Sequence, residues 1–118
     1  MQYMFLIYLD ENSLSDDELN NCYRESAEFA MGLHASGKRV MAAPLYPTST
    51  ATSVRTREGK RVVTDGPFAE TREQLGGFFL IEAADLDEAI EIAGKIPAGH
   101  FGTVEIRPVV EVPGLPQN

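Results

Sequence analysis

A chain of 118 residues is long enough for one domain with a substantial core and too short for two. Ten basic against eighteen acidic side chains leave a net charge of −8, which argues against non-specific binding to nucleic acid or to an anionic membrane. The single cysteine, Cys22, excludes an internal disulfide and any cysteine-rich metal site. No stretch approaches the roughly 20 apolar residues of a membrane span. The N-terminal apolar run is short, lacks a basic flank and ends in Asp10-Glu11, so no signal peptide is read and a cytoplasmic location is the simplest expectation.

In chain order, Gln2 to Leu9 is the first strand. Tyr3, Phe5, Ile7 and Leu9 point one way and Met4, Leu6 and Tyr8 the other, so both faces need cover. Leu14-Ser15-Asp16-Asp17-Glu18-Leu19 starts a helix. Ser15 is the N-cap, Glu18 its capping-box partner, and Leu14 with Leu19 a hydrophobic staple. Leu19, Cys22, Tyr23, Ser26, Ala30, Leu33 and His34 recur at helical spacing, and Gly37 ends the helix. Cys22 on that stripe reads as a small core residue, and His34 as a C-terminal cap.

Lys38 to Ala43 is the second strand, stopped by Pro44, and residues 44 to 52 form a loop. Ser53 to Glu58 and Lys60 to Asp65 read as a hairpin turning at Glu58-Gly59. Asp65-Gly66-Pro67-Phe68 then breaks the chain direction: Gly66 tolerates positive φ, and Pro67 pushes it out of the helical region. Thr71-Arg72-Glu73-Gln74 has the form of a capping box, so one helical turn is expected there. Gly77 to Ala83 is the next strand, with Phe78, Phe79, Leu80 and Ile81 apolar on both sides. Asp85 caps a second helix with Glu88 three residues on. Its inner stripe is Leu86, Ala89, Ile90 and Ala93, and Pro97 closes it. After a turn at Gly99–Gly102, Thr103 to Val112 is the last strand, where Pro108 calls for an edge or a bulge. Residues 1–112 make one domain and 113–118 a turn-rich tail.

The order strand, helix, strand, hairpin, strand, helix, strand predicts an α+β fold: a ferredoxin-like antiparallel sheet with two helices on one face. The other face would carry alternating members of Phe5, Leu6, Phe78, Phe79 and Leu80. A bare apolar face is an association surface, which predicts a homodimer.

The string DGPFAETREQLGGFFLIE resembles the signature of DGPF-domain proteins, a branch of the YCII-related family. YMFLIYLDE, TATSVRTREGKRVVTDGPF and GTVEIRPVVE fit the same family, so the likeness covers nearly the whole chain. The resemblance implies a ferredoxin-like domain that pairs into a dimeric α/β barrel. It implies little about chemistry, because most members of this branch have no established activity. For better-understood YCII-related proteins it implies a His–Asp pair in a cleft. Asp65 is then the counterpart of the aspartate. The histidine's place falls near Ser26, where this chain departs from the pattern.

Read from the residues, no dinucleotide, Walker, zinc-protease or nucleophile-elbow motif is present, and the two histidines, His34 and His100, lie apart. No metal and no cofactor are therefore expected. Asp65, before Gly66-Pro67, is the candidate catalytic group: a carboxylate in a partly buried turn can have a raised pKa and move protons. The same residue can instead close an Asx turn on its own backbone. Tyr8, Ser26, Arg55, Arg57 and His100 are the candidate ligand-binding residues, the arginines suiting an acid group on a small metabolite. Charge is uneven: residues 10–28 carry −6 and residues 54–61 carry +3. The second reading is a non-catalytic interaction module. DGPF proteins resemble, and often lie beside or fused to, extracytoplasmic-function sigma factors, which suggests a regulatory protein partner of that kind.

Overall fold

The computed structural model describes residues 1–115, with Val40 described by its backbone alone; the last three residues of the expected tail lie outside it. Eight main elements succeed one another: β1 (Gln2–Leu9), α1 (Asp16–Ala35), β2 (Arg39–Pro44), β3 (Thr52–Arg57), β4 (Lys60–Asp65), β5 (Gln74–Glu82), α2 (Leu86–Ala93) and β6 (Gly102–Pro108). Short 3-10 turns intervene at Glu11–Ser13, Thr48–Thr50 and Pro97–His100. β2, β5, β1 and β6 form an antiparallel sheet in that order, and β3 pairs with β4 as a separate two-stranded sheet. This is the ferredoxin-like α+β arrangement expected from the element order.

β1 alternates as its sequence dictates: Tyr3, Phe5, Ile7 and Leu9 are buried, while Met4, Leu6 and Tyr8 are half-buried on the opposite face. The buried set meets Phe79 and Ile81 of β5, Ala30 of α1, Ala89 and Ala93 of α2, and Ile96 and Ala98 beyond it. Both helices thus cover one face of the sheet. Phe29 packs on the same core, its ring 6.1 Å from that of Phe79 at 56°. Phe5 and Phe79 therefore belong to the helix side, and the open face carries Met4, Leu6, Phe78, Leu80 and Met41. Among the described residues no element covers that face.

Both helices start at their side-chain caps. The Ser15 hydroxyl accepts from the Glu18 N–H at 3.1 Å, and the Glu18 carboxylate accepts from the Ser15 N–H at 3.0 Å. Asp85 accepts from the Glu88 N–H at 2.9 Å. Two glycines permit close approach. A side chain at Gly77 would place its Cβ 2.9 Å from the Ala43 carbonyl oxygen of β2, and one at Gly102 would collide with the Tyr8 carbonyl. The hairpin turns as expected at Glu58-Gly59, both at positive φ (53° and 75°), the conformation of a tight two-residue loop.

Four expectations are corrected. No helical turn forms at 71–74: the side chain of Gln74 is bound by Glu11 and Thr71 and that of Glu73 by Thr103, and Gln74 already pairs with Leu9. β5 consequently begins three residues before Gly77, with a register shift between Ile7 and Tyr8 on its partner. α2 turns Ala89 and Ala93 to the sheet, with Ile92 partly buried against the same core, and its rotation leaves Leu86 and Ile90 each 52% exposed. β6 ends at Pro108, which has no N–H to extend a ladder, on an edge of the sheet. Among the described residues no helix is long and apolar enough to cross a membrane.

Candidate functional site

Asp65 is the last residue of β4, and Gly66 sets the turn that leaves the strand. Gly66 sits at φ 101°; its N–H donates to the Ala51 carbonyl at 2.7 Å, and its own carbonyl accepts from the Ser53 hydroxyl at 2.7 Å. The turn is thus clamped through the glycine backbone to the start of β3, leaving the Asp65 side chain exposed.

Three other segments converge on this turn. Where β1 ends, Asp10 caps the first 3-10 turn by accepting from the Asn12 N–H at 3.0 Å. The next residue, Glu11, grips Thr48: one carboxylate oxygen accepts from the Thr48 N–H at 2.9 Å, the other from the Thr48 hydroxyl at 2.7 Å. The Glu11 N–H donates to the Gln74 side-chain oxygen at 2.9 Å, and the Gln74 amide nitrogen donates to the Thr71 carbonyl at 2.6 Å. One glutamine therefore ties the end of β1 to the segment entering β5. These bonds frame a cleft of about 750 Å³ lined by Glu11, Asn12, Thr48, Ser49, Asp65, Gly66, Glu70, Thr71 and Gln74, with Pro47, Pro67 and Ala69. Three carboxylates line it and, among the described residues, no lysine or arginine does, so it suits groups that donate hydrogen bonds or carry positive charge.

Glu11, Thr48 and Gln74 had no signal in the sequence. Glu11 reads there as one more member of an acidic run, and its grip on Thr48 spans 37 positions.

The other sequence-predicted residues lie elsewhere, and none lines the Asp65 cleft. Tyr8 stands on the open sheet face, where partial burial and then the Glu105 carboxylate hold its hydroxyl pKa above the usual tyrosine value. Ser26 faces inward from α1 into a small pocket of about 30 Å³ shared with Cys22, Tyr23, Gly77 and Phe79. Arg55 lies over the Phe68 ring at 6.0 Å from its centroid, and Arg57 donates to the carbonyl of Thr56 at 3.2 Å; both are exposed on the hairpin. His100 borders a groove of about 350 Å³ with Ile90, Val104 and Ile106. The Tyr23 hydroxyl donates to the Leu45 carbonyl at 2.9 Å. Cys22 is buried; burial, then Glu25 and Glu18, push its thiol pKa up, away from the thiolate a nucleophile needs.

The model of the YCII-related domain matches residues 1–113. The chain belongs to the YCII-related family. An uncharacterised protein of Rhizobium meliloti is 38% identical over 114 residues, 92% of each chain. A solved structure of 5-chloro-2-hydroxyhydroquinone dehydrochlorinase from Burkholderia phenoliruptrix, in complex with 2,5-dihydroxybenzoquinone, superposes with a TM-score of 0.58 over 95% of this chain and 96% of that one, at 16% identity. At that identity the likeness is one of fold. The resemblance expects a histidine near Ser26, and Ser26 and Asp65 line different cavities.

Proposed function

We propose that this YCII-related domain binds a small polar metabolite in the Asp65 cleft and transforms it by proton transfer, with Asp65 as the acid–base group. The observation that carries this reading is the placement of the Asp65 carboxylate in a cleft of about 750 Å³ whose other walls are fixed by the Glu11–Thr48 and Gln74–Thr71 bonds. A general base needs an accessible carboxylate and a substrate held against it; the Thr48 and Thr71 hydroxyls, whose protons go to Glu11 and to the Glu73 carbonyl, keep lone pairs for a donating ligand, and the Gln74 amide keeps a second N–H.

The lining shifts the expected ligand away from an anion. Glu11, Asp65 and Glu70 repel a carboxylate or phosphate, and Arg55 and Arg57 stand outside the lining. A neutral hydroxylated compound or an amine fits better. The dehydrochlorinase of the same fold, solved with a dihydroxybenzoquinone, supports a small hydroxylated ring as the first class to try. The working form is a homodimer that buries Met4, Leu6, Phe78 and Leu80 of the open sheet face. A sigma-factor partner draws no support from the cleft or from the relatives.

The test is a thermal-shift screen of hydroxylated aromatics, polyols and amines against wild type and Asp65→Asn. A compound that stabilises wild type and loses at least about tenfold in affinity for Asp65→Asn supports the carboxylate's role, a charged hydrogen bond being worth about that much. A compound bound equally by both proteins removes it.

A further inference from the structure

The β3–β4 hairpin stands apart from the rest of the fold. Its arms pair with each other and make no substantial packing against the helices or the four-stranded sheet. A lone two-stranded hairpin is marginal in water, and this one adds costs of its own. Val54, Val62 and Val63 are 59%, 48% and 58% exposed. Arg57 and Lys60 sit directly opposite each other, and Arg55 lies two residues away on the same side. Like charges facing across a strand pair are destabilising. A segment built this way calls for an acidic surface to cover it.

That surface is present in the chain itself. Residues 54–61 hold four of the ten basic side chains against one acid, a charge of +3; the remaining six bases and seventeen acids leave −11 on everything else. The acids are most numerous on α1, where Asp17, Glu18, Glu25 and Glu28 are all exposed and recur at the spacing of one helix face, with Arg24 the single base among them.

We propose that the hairpin is an intermolecular arm whose basic side, Arg55, Arg57 and Lys60, seats on the acidic outer face of α1 in a second copy of this chain. This rests on the dimer proposed above; because α1 covers the opposite face of the sheet, the arm's electrostatic contact is separate from the apolar sheet-face interface. Contacts of this type set register and association rate and weaken with salt.

The test is a charge-reversal cycle on the full chain, read by analytical ultracentrifugation at low and high salt, with circular dichroism checking that each variant is folded. Arg57→Glu/Lys60→Glu and Glu25→Lys/Glu28→Lys should each weaken dimerisation at low salt by about tenfold or more. The two reversals combined should restore it. Phe78→Asp separates the readings, since it strikes the sheet face alone. The arm is overturned if Arg57→Glu/Lys60→Glu leaves both the dissociation constant and its salt dependence unchanged while Phe78→Asp splits the dimer; the sheet-face dimer then stands without it. It is also overturned if each reversal weakens the dimer and their combination does not recover it. A wild-type chain that stays monomeric at low salt overturns the arm and the dimer together.

Discussion

Glu11 holds Thr48 with both carboxylate oxygens, one on the backbone N–H at 2.9 Å and one on the hydroxyl at 2.7 Å. The pair joins the exit of β1 to the loop before the hairpin and makes one wall of the Asp65 cleft. Both groups are partly shielded from water, so removing the carboxylate strands a donor. Glu11→Ala is expected to lower stability by about 1–2 kcal/mol, and Thr48→Val, which keeps volume and loses the hydroxyl, by about 1 kcal/mol. Urea melts of the two variants and of the double variant check this: non-additive losses are expected, because each single change already breaks the shared bond.

Phe78 and Phe79 are neighbours in sequence and face opposite ways. Phe79 is 3% exposed and packs on Phe29, so Phe79→Ala is expected to cost about 3–5 kcal/mol as a core cavity. Phe78 lies on the open face, and Phe78→Asp should leave a folded chain that no longer dimerises. Light scattering on a sizing column, together with thermal melts, separates the two effects. A Phe78→Asp protein that still dimerises would remove the sheet face as the interface.

Much of the fold was legible because local signals and global packing agree. Ser15 and Glu18 announce α1, the alternation of Tyr3 to Leu9 sets one face of β1, and Glu58-Gly59 turns the hairpin. The failures lie where short segments are decided by distant partners. Thr71–Gln74 carries a capping-box pattern, yet Glu11 and Thr103 claim the side chains of Gln74 and Glu73, Thr71–Glu73 stays irregular, and Gln74 opens β5. The Asp65-Gly66-Pro67 turn was visible; its neighbours in the cleft were not, since the Glu11–Thr48 and Glu11–Gln74 bonds span 37 and 63 positions. Tyr8, Ser26, Arg55, Arg57 and His100 are polar groups on elements that the sequence locates correctly, but strand register and helix rotation point them to separate places.

Acid should loosen both helix starts. The Ala84 N–H, then Lys38 at 3.0 Å, hold the Glu88 pKa below the ordinary carboxylate value, and the Ser15 N–H and hydroxyl do the same for Glu18. A carboxyl whose folded pKa is depressed contributes stability that is complete above its unfolded pKa and is lost as pH falls through the folded one. Stability is therefore expected to drop on acidification below the usual glutamate range. Glu18→Gln/Glu88→Gln should flatten that drop, because glutamine still accepts the capping bonds and does not titrate. Melting temperatures taken from neutral to acidic pH for wild type and the double variant measure the difference.

The Asp65-Gly66 pair divides structure from chemistry. Gly66 supplies the φ of 101° and both hydrogen bonds that clamp the turn to Ala51 and Ser53, while Asp65 is exposed. Gly66→Ala puts a Cβ on a backbone conformation that L-residues resist, and is expected to cost about 1–3 kcal/mol. Asp65→Ala should change stability by no more than about 0.5 kcal/mol, as at an ordinary surface position. Ligand binding should respond in the opposite sense: Asp65→Ala abolishes it in a fully folded protein, while Gly66→Ala weakens it only in proportion to the turn it disturbs. Thermal melts and calorimetric titration of both variants with a screened ligand give the comparison. Were Asp65→Ala as destabilising as Gly66→Ala, the carboxylate would be a structural member of the turn, and the case for Asp65 as the proton-transfer group would lose its basis.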